Sequence, residues 1–377
     1  MESVVGVHAR LLRARGHDVR LIAGRGEAEI VHELDSRHPD VERLTGELAE
    51  GRFDERAFEA VRAAVRERLR PLFADRDRVL AHNLLTMPFN LPAAAALVDL
   101  GSPLLAWTHD LAWINPRYKA FRRRGRPWDL LRRAQAGVRY VAISKVRQGQ
   151  ICSLFGLPRT EVPVVPDGID ELDFLQVGPS ARRLLHGAGL VLARPLLLVP
   201  LRITPRKRIE LALRAAALIR KGHPGLGLLV TGPLGPHSPE NRAYAEQLLE
   251  LRRSLRLHDV VAFCFEQASG GRHPVTDTDM AELYRAADVV LLPSESEGFG
   301  LPILEAGLAR APVVCTDLDV LREVAAGGAW TFPARAGAPA VAAAVEAALG
   351  SRSAKLRRRV QSEYTWSSVI DKLERTL

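Results

Sequence analysis

Several residue types and patterns are scarce in this 377-residue sequence, and each scarcity narrows the class of protein. The three cysteines, Cys152, Cys264 and Cys315, lie far apart with no metal-ligand spacing, which predicts buried bystander thiols. No apolar run approaches the roughly 20 residues that a membrane-spanning helix needs, and the N-terminus lacks the pattern of a signal peptide. A cytoplasmic protein is therefore predicted, with attachment at the inner face of the membrane as an alternative.

Lysine is also scarce, so the net charge of +9 comes almost wholly from arginine. The charge is spread through both halves of the chain without an aromatic-studded basic motif, which argues against a nucleic-acid partner. A solvated basic surface and attraction to an anionic membrane or acceptor are the two alternatives that stay open. Against this background Lys207 stands out. The lysines are at 119, 145, 207, 221, 355 and 372.

The length and the patterning predict two domains. Short apolar runs alternate with helical stretches along the chain, which is typical of doubly wound α/β domains with parallel sheets. The segment from Leu172 to Ser180, with Gly178 and Pro179, is the best linker candidate. The predicted bounds are 1–178 for an N-terminal domain, 179–356 for a C-terminal domain, and 357–377 for a helix packing back toward the N-terminal domain. The predicted strands are 19–24, 78–83, 103–110, 140–144 and 162–168, then 196–201, 226–231, 260–263, 289–292 and 313–316.

The chain opens on apolar residues at helical spacing over residues 1–15, with Gly16 as a C-cap before the first predicted strand. In α/β folds such a helix normally follows an earlier strand. We therefore expect the N-terminal domain to lack its first strand and glycine loop. Either the start is assigned too late or the protein is a short variant with an incomplete sheet, and we favour the first because a sheet without that strand leaves backbone groups unpaired and apolar surface exposed. The chain as given is therefore expected to be weakly active or inactive.

Polar and charged residues follow several predicted strands, where ligands of parallel sheets bind. Asn83, His109 and Ser144 would share the rim of the first sheet. In the second domain, Arg202 and Lys207 follow the first strand and could face a diphosphate, although a solvated basic turn is the alternative for this loop.

The stretch Pro293–Ala306 follows an apolar run at 288–292 that predicts a buried strand, and it contains a glycine loop and a helix start with Pro302 near the first position. Gly298 and Gly300 let a ligand approach the backbone, and the helix start offers free N–H groups to an anion. Glu297 and Glu305 would repel phosphate, so they are better suited to accept hydrogen bonds from ligand hydroxyls. Phosphate and hydroxyl groups together suggest a nucleotide sugar.

These residues resemble the retaining GT-B glycosyltransferases of family 4, the group 1 type. The family pattern of two glutamates in EGFGLPxLEA is matched throughout by Glu297-Gly-Phe-Gly-Leu-Pro-Ile-Leu-Glu305-Ala. Supporting matches are Arg15-Gly-His-Asp-Val19, Val164-Val-Pro-Asp-Gly-Ile-Asp170, the Arg202 and Lys207 pair, Ala286-Ala-Asp-Val-Val-Leu-Leu-Pro-Ser294, and Ala311-Pro-Val-Val with Thr316-Asp317.

The resemblance implies two facing Rossmann-like domains and a role for each matching residue. Arg202 and Lys207 would hold the donor diphosphate and neutralise the leaving group. Glu297 would bind the donor sugar hydroxyls and Glu305 the ribose. Backbone N–H groups of Phe299, Gly300 and Leu301, next to Gly298, would contact sugar and phosphate. His109 would lie near the donor sugar and the acceptor, and no metal or other cofactor is expected.

The predicted function is transfer of a hexosyl group from UDP- or GDP-hexose to a hydroxyl acceptor, with retention and without a metal. A nucleotide-sugar epimerase and a catalytically impaired nucleotide-sugar-binding protein are alternatives. The predicted partners are the nucleotide sugar and a hydroxyl acceptor, either anionic or lipid-linked, with peripheral membrane contact left open and no nucleic acid.

Acceptor contacts are expected from Trp107, Trp113, Asn115, Tyr118 and the basic run Arg122–Arg126, and base contacts from the loop with Phe265 and Glu266. Glu297→Ala and Lys207→Ala are each expected to abolish transfer while leaving the fold intact.

Overall fold

The computed structural model describes residues 2–101, 103–234, 239–268 and 274–377. The chain divides into two compact units, residues 1–168 with 366–377 and residues 169–365. Elements are numbered in chain order across both units. No helix within the described residues is both long and apolar enough to cross a membrane.

The first unit contains a parallel sheet of three strands in the order β3-β4-β5. A separate two-residue pair, β1 with β2, is also parallel. The strands are β1 Ile22–Ala23, β2 Glu29–Ile30, β3 Val79–His82, β4 Leu104–Thr108 and β5 Val138–Ala142. The helices are α1 Glu2–Ala14, α2 Pro39–Glu50, α3 Glu55–Phe73, α4 Leu91–Asp99, α5 Lys145–Phe155 and α15 Trp366–Glu374.

The second unit contains a six-stranded parallel sheet in the order β8-β7-β6-β9-β10-β11. Its strands are β6 Leu196–Val199, β7 Gly227–Val230, β8 Val261–Phe263, β9 Val289–Leu292, β10 Val313–Asp317 and β11 Trp330–Pro333. Its helices are α6 Glu171–Phe174, α7 Pro179–Gly187, α8 Ile209–Ile219, α9 Pro239–Ser254, α10 Asp277–Ala286, α11 Leu301–Leu308, α12 Asp319–Ala325, α13 Ala338–Leu349 and α14 Arg352–Glu363.

The central strands of the second unit are apolar along their whole length because both faces of the sheet are covered. Every residue of β6, β7 and β9 is buried, as expected for a parallel sheet with helices on each side. From β6 the chain proceeds outward to β7 and β8, then returns to place β9 on the other side of β6. The strand order therefore reverses between β6 and β9, which is where doubly wound sheets bind ligands.

Most of the predicted strands are present within a few residues of their predicted bounds, and the exceptions are residues 162–168 and the two strands that were not predicted, β2 and β11. Residues 162–168 were predicted as a strand but form only a bridge between Val164 and Ala142. The edge strand β11 was not predicted, since its sequence Trp-Thr-Phe-Pro has no continuous apolar run and only Phe332 is buried. Parallel pairing with β10 is what makes this segment a strand.

The charged segment 43–69, whose composition favours a helix, forms parts of two helices because Gly51 interrupts it. Gly51 has a φ of +84° and ends α2, while Asp54 caps α3 by accepting a hydrogen bond from the Ala57 N–H. A side chain at residue 51 would also meet the Arg123 guanidinium. The left-handed conformation is one that glycine adopts without strain.

The boundaries between the units differ from the predicted bounds of 178 and 356. The predicted linker is structured: Val177 is in the core of the second unit, and Leu172 and Leu175 pack against that core. Helix α14 belongs to the second unit as well, so the returning segment starts at Trp366 rather than at 357. Helix α15 then packs with Leu12, Trp107 and Val141 of the first unit, through residues such as Val369.

Candidate functional site

Two loops meet at the point where the strand order of the second unit reverses. The loop after β6 contains a 3-10 turn, Pro205–Lys207, and the loop after β9 runs from Pro293 to Gly300. The Glu295 N–H donates to the Arg206 carbonyl at 2.8 Å, and the Arg206 side chain donates to the Ser296 carbonyl at 3.2 Å. Because β6 and β9 are neighbours in the sheet, residues 90 positions apart in sequence are brought together here.

A buried ion pair joins the two loops. The Lys207 Nζ lies 2.6 Å from the Glu297 Oε1, and the two side chains are only 9% and 10% exposed. The Ser294 hydroxyl, which is fully buried, donates to the same Oε1 at 2.6 Å. No described residue hydrogen-bonds to the second carboxylate oxygen, Oε2. Glu297 is thus fixed through Oε1, and Oε2 is left to accept a hydrogen bond from a ligand.

Arg202 lies on the same loop as Lys207 but is exposed. Its backbone runs close to Gly232 after β7, where an added Cβ would stand 1.9 Å from the Leu201 carbonyl oxygen. The neighbouring Ile203 N–H donates to the Pro233 carbonyl at 3.0 Å. Only a residue without a side chain permits this approach, so Gly232 fixes the course of the loop that carries Arg202.

The glycine loop ends in a left-handed residue that starts α11. Gly300 has a φ of +99°, and a Cβ there would stand 2.7 Å from the Leu321 Cδ2. Pro302 follows in the first turn of α11, as predicted. At Gly298, by contrast, an added Cβ would meet nothing within 4 Å. Gly300 is therefore required by the backbone conformation and packing at the start of α11, while the space next to Gly298 is open.

Glu305 is separate from Glu297 and has its own partner. It lies on α11, exposed, and accepts a hydrogen bond of 2.5 Å from the Tyr284 hydroxyl of α10 through Oε2. Burial raises the pKa of Tyr284, and the hydrogen bond to Glu305 raises it further. The phenol is therefore a permanent donor that orients this carboxylate.

Replacing Tyr284 by phenylalanine removes the donor that orients Glu305. If Glu305 binds the donor nucleotide, we expect the donor KM to rise about 3- to 10-fold with little change in kcat, since an interaction equal in ground and transition states is lost. Steady-state kinetics with varied donor would measure this. Tyr140→Phe is the matched control, because Tyr140 is a buried phenol of the first unit that bonds the Gln135 N–H. An unchanged donor KM in Tyr284→Phe, or the same rise in both variants, would contradict the binding of the donor by a Glu305 that Tyr284 orients.

His109 lies in the first unit directly after β4, where the sequence placed it. Its Nδ1 stands 3.4 Å from the Asp167 Oδ2, and its side chain is 15% exposed. The Asn83 side-chain oxygen accepts the N–H groups of both His109 and Asp110, at 3.2 and 3.0 Å. The His109 Nε2 is buried and has no hydrogen-bond partner among the described residues.

Some residues predicted at the rim or in binding loops have structural roles instead. Ser144 caps α5 by accepting from the Arg147 N–H at 3.1 Å. Trp107, a residue of β4, is fully buried against α1 and α15 rather than available to an acceptor. Glu266 accepts hydrogen bonds from the two terminal guanidinium nitrogens of Arg252, at 2.6 and 2.8 Å. Base contacts from Glu266 would have to break that pairing.

Three residues with a place in this geometry were not singled out from the sequence: Tyr284, Ser294 and Asp167. Ser294 follows a buried strand and precedes Glu297 by three residues, a signal that could have been used. Asp167 stands in the Pro-Asp-Gly segment after β5. Tyr284 is an ordinary helix residue whose partner only the fold supplies.

No three His, Cys, Asp or Glu side chains among the described residues are grouped so as to hold a metal ion.

Comparison with known families agrees with this arrangement. The family model for group 1 glycosyltransferases matches residues 188–364, which includes both loops at the strand-order reversal. The model for glycosyltransferase family 4 matches residues 1–171. This chain belongs to the family 4, group 1 glycosyltransferases. Each of its two units is an α/β domain with a parallel sheet, which is the type of domain that the GT-B class contains.

Curated relatives of this chain include D-inositol 3-phosphate glycosyltransferases from two bacteria. The protein of Kineococcus radiotolerans is 35% identical over 194 residues, covering 50% of this chain and 41% of the relative. The protein of Nocardia farcinica is 32% identical over 221 residues, covering 58% of this chain and 46% of the relative. The chain spans about half the length of the curated relatives it matches.

Solved structures match more of the chain at lower identity. HepE of Anabaena in complex with UDP and glucose is 18% identical, with 84% of this chain and 80% of that chain covered and a TM-score of 0.37. A glycosyltransferase of Rickettsia africae is 16% identical, with 100% and 93% covered and a TM-score of 0.38.

Proposed function

We propose that this chain transfers a hexosyl group from a nucleoside-diphosphate sugar, UDP- or GDP-hexose, to a hydroxyl acceptor, with retention and without a metal ion. The observation that carries the proposal is the meeting of the cationic loop after β6 with the glutamate and glycine loop after β9, through the 2.6 Å contact of Lys207 and Glu297. Cations and free backbone N–H groups suit a diphosphate, and carboxylates that accept hydrogen bonds suit the hydroxyl groups of a sugar. The two loops bring all of these groups to one place.

On the donor side, Arg202 and Lys207 bind the diphosphate. An ammonium group has three donors, and Glu297 uses one of those on Lys207, so two can serve phosphate oxygens. Backbone N–H groups of residues 299–301, at the start of α11, contact phosphate and sugar. The Glu297 Oε2 accepts from the sugar hydroxyls, and Glu305 accepts from the ribose.

In the transfer step, the acceptor oxygen bonds to the anomeric carbon on the face from which the phosphate oxygen departs. The acceptor proton passes to that phosphate oxygen, and the nucleoside diphosphate leaves. No second carboxylate is needed to take the proton. Fixed cations at the phosphate stabilise the developing negative charge, which is the work that a metal ion does in other transferases.

The first unit binds the acceptor, and a phosphorylated polyol is the acceptor class we propose. Arg122, Arg123, Arg124 and Arg126 are exposed on one loop, and Arg126 pairs with Glu55 and Glu59. Exposed guanidinium groups suit a phosphate. The names of the two relatives give an inositol phosphate as the acceptor of those proteins.

A thermal-shift experiment with UDP-, GDP- and ADP-sugars tests the donor side. A ligand at about 100 times its Kd adds about 2.7 kcal/mol of stability, which raises Tm by roughly 5 to 10 °C for a unit of this size. We expect one nucleotide to give this rise in the wild type and to give none in Glu297→Ala.

Release of nucleoside diphosphate in the presence of inositol phosphate or inositol then tests the acceptor. Turnover only with the phosphorylated polyol supports the proposed class, and turnover with both shows that the arginines are not selective. A donor that binds and is converted to its epimer identifies an epimerase. Absence of any stabilisation and of any turnover would overturn the proposal.

A further inference from the structure

The segment that carries Asp167 is held next to His109 by several independent contacts in the first unit. The Val165 N–H donates to the Ala142 carbonyl at 2.9 Å, which attaches the segment to the end of β5. On the other side, Trp366 of α15 packs so tightly on Gly168 that an added Cβ would stand 2.6 Å from its ring. Asp167 is therefore held between the sheet and the last helix.

The His109 ring is restrained from two directions. The Asn83 amide holds its backbone, and the Asp167 carboxylate stands at its Nδ1. The His82 ring lies 6.1 Å from the His109 ring, and the His8 ring lies 5.3 Å from that of His82. Beside a charged carboxylate, Nδ1 must be the donor, because an ionised carboxylate only accepts hydrogen bonds.

The charge on Asp167 follows from its surroundings. Burial alone would raise the pKa of Asp167, but the hydrogen bond from His109 and the neighbouring imidazoles lower it below the usual range. The other ionisable rings in the cluster are neutral at pH 7, because burial lowers the pKa of His8 to about 4 and that of His82 to about 3. Asp167 is thus the group that can orient His109 by charge.

We propose that Asp167 is a positioning residue: it accepts the Nδ1 proton of His109 and so holds the ring in the tautomer whose Nε2 accepts a hydrogen bond from a substrate hydroxyl. Nε2, which is buried and has no hydrogen-bond partner in the described part of the chain, is the atom left for that hydroxyl. The inference rests on the proposed function for the hydroxyl, which belongs to the sugar or to the acceptor. The tautomer itself is a property of the free protein.

The first test is therefore independent of activity. Nitrogen-15 NMR of the imidazoles at pH 8, with His109 assigned by its loss in His109→Gln, reports which nitrogen carries the proton. We expect Nδ1–H in the wild type and a large gain of the Nε2–H tautomer in Asp167→Ala. Asp129→Ala is the matched control, since Asp129 is a carboxylate of the same unit, bound by Arg132, with 29% exposure against 36% for Asp167. It should leave the His109 signals unchanged.

The second test uses turnover. Asp167→Ala should lower kcat roughly 10- to 100-fold, the loss typical of removing the partner behind a functional imidazole, with donor KM nearly unchanged. Asp167→Glu keeps the carboxylate and should restore part of kcat.

An Nε2–H tautomer in the wild type, or an unchanged tautomer in Asp167→Ala, would overturn the proposal whatever the activity. The expected tautomers without any transferase activity would leave the positioning role in place and count against the proposed function alone. A tautomer change with unaltered kcat in an active enzyme would remove the functional part of the inference.

Discussion

Lys207→Met is expected to lower kcat for sugar transfer by roughly 100- to 1000-fold. The lysine is the buried cation at the proposed diphosphate site, and loss of one fixed group that stabilises developing charge typically costs this much. The same substitution leaves the Glu297 carboxylate, 10% exposed, with Ser294 as its remaining partner. Breaking a buried pair by removing one partner costs about 3 kcal/mol or more of unfolding free energy. The sequence led us to expect an intact fold in such variants, whereas the buried pair predicts a destabilised one.

The double variant Lys207→Met with Glu297→Gln separates the two effects. Removing both charges should restore most of the unfolding free energy relative to Lys207→Met, because no unpaired charge remains buried. Turnover should stay low, since the phosphate cation is still missing. Lys221→Met, at an exposed lysine of the same unit, is the control and should change neither quantity. Recovery of kcat in the double variant would mean that Lys207 acts only through stability.

Acidification from pH 7 to pH 5 is expected to destabilise the first unit by about 3 to 4 kcal/mol. Burial lowers the pKa of His8 to about 4 and that of His82 to about 3 in the folded state, against about 6.5 in the unfolded chain. The unfolded state therefore binds more protons below pH 6.5, and stability falls as the pH falls. Each histidine contributes at most about 1.4 kcal/mol per pH unit, and only below pH 6.5, so each accounts for roughly 2 kcal/mol between pH 7 and pH 5.

Denaturant unfolding followed by tryptophan fluorescence would measure this, since Trp107, Trp113, Trp128 and Trp366 are in the first unit and only Trp330 is in the second. His8→Leu should remove about half of the pH dependence. The exposed His258 of the second unit provides the control, and His258→Gln should leave the slope as it is. If the unfolding free energy of the first unit were the same at pH 7 and pH 5, the His8 and His82 rings would not be buried in their neutral form.

The strands of the second unit could be predicted from the sequence because both of their faces are buried. A continuous apolar run such as Val289–Leu292 is a strong local signal that depends on no partner. The edge strand β11 has no such signal, since pairing with β10 makes it a strand. Gly51 and the 172–177 segment were missed for the same kind of reason. Whether a glycine ends a helix, or a short apolar segment joins a core, depends on what packs there.

By itself, the sequence determined the α/β class of this protein, its place among the family 4 glycosyltransferases, and the residues that follow the strands at the reversal point. These properties follow from residue types and short spacings along the chain, which a linear pattern contains. Only the tertiary structure decided that Lys207 and Ser294 share one oxygen of Glu297, that Tyr284 orients Glu305, and that Asp167 faces His109. The partners in the Lys207 and His109 contacts lie 90 and 58 positions apart, and strand order and helix packing alone bring such residues within hydrogen-bonding distance.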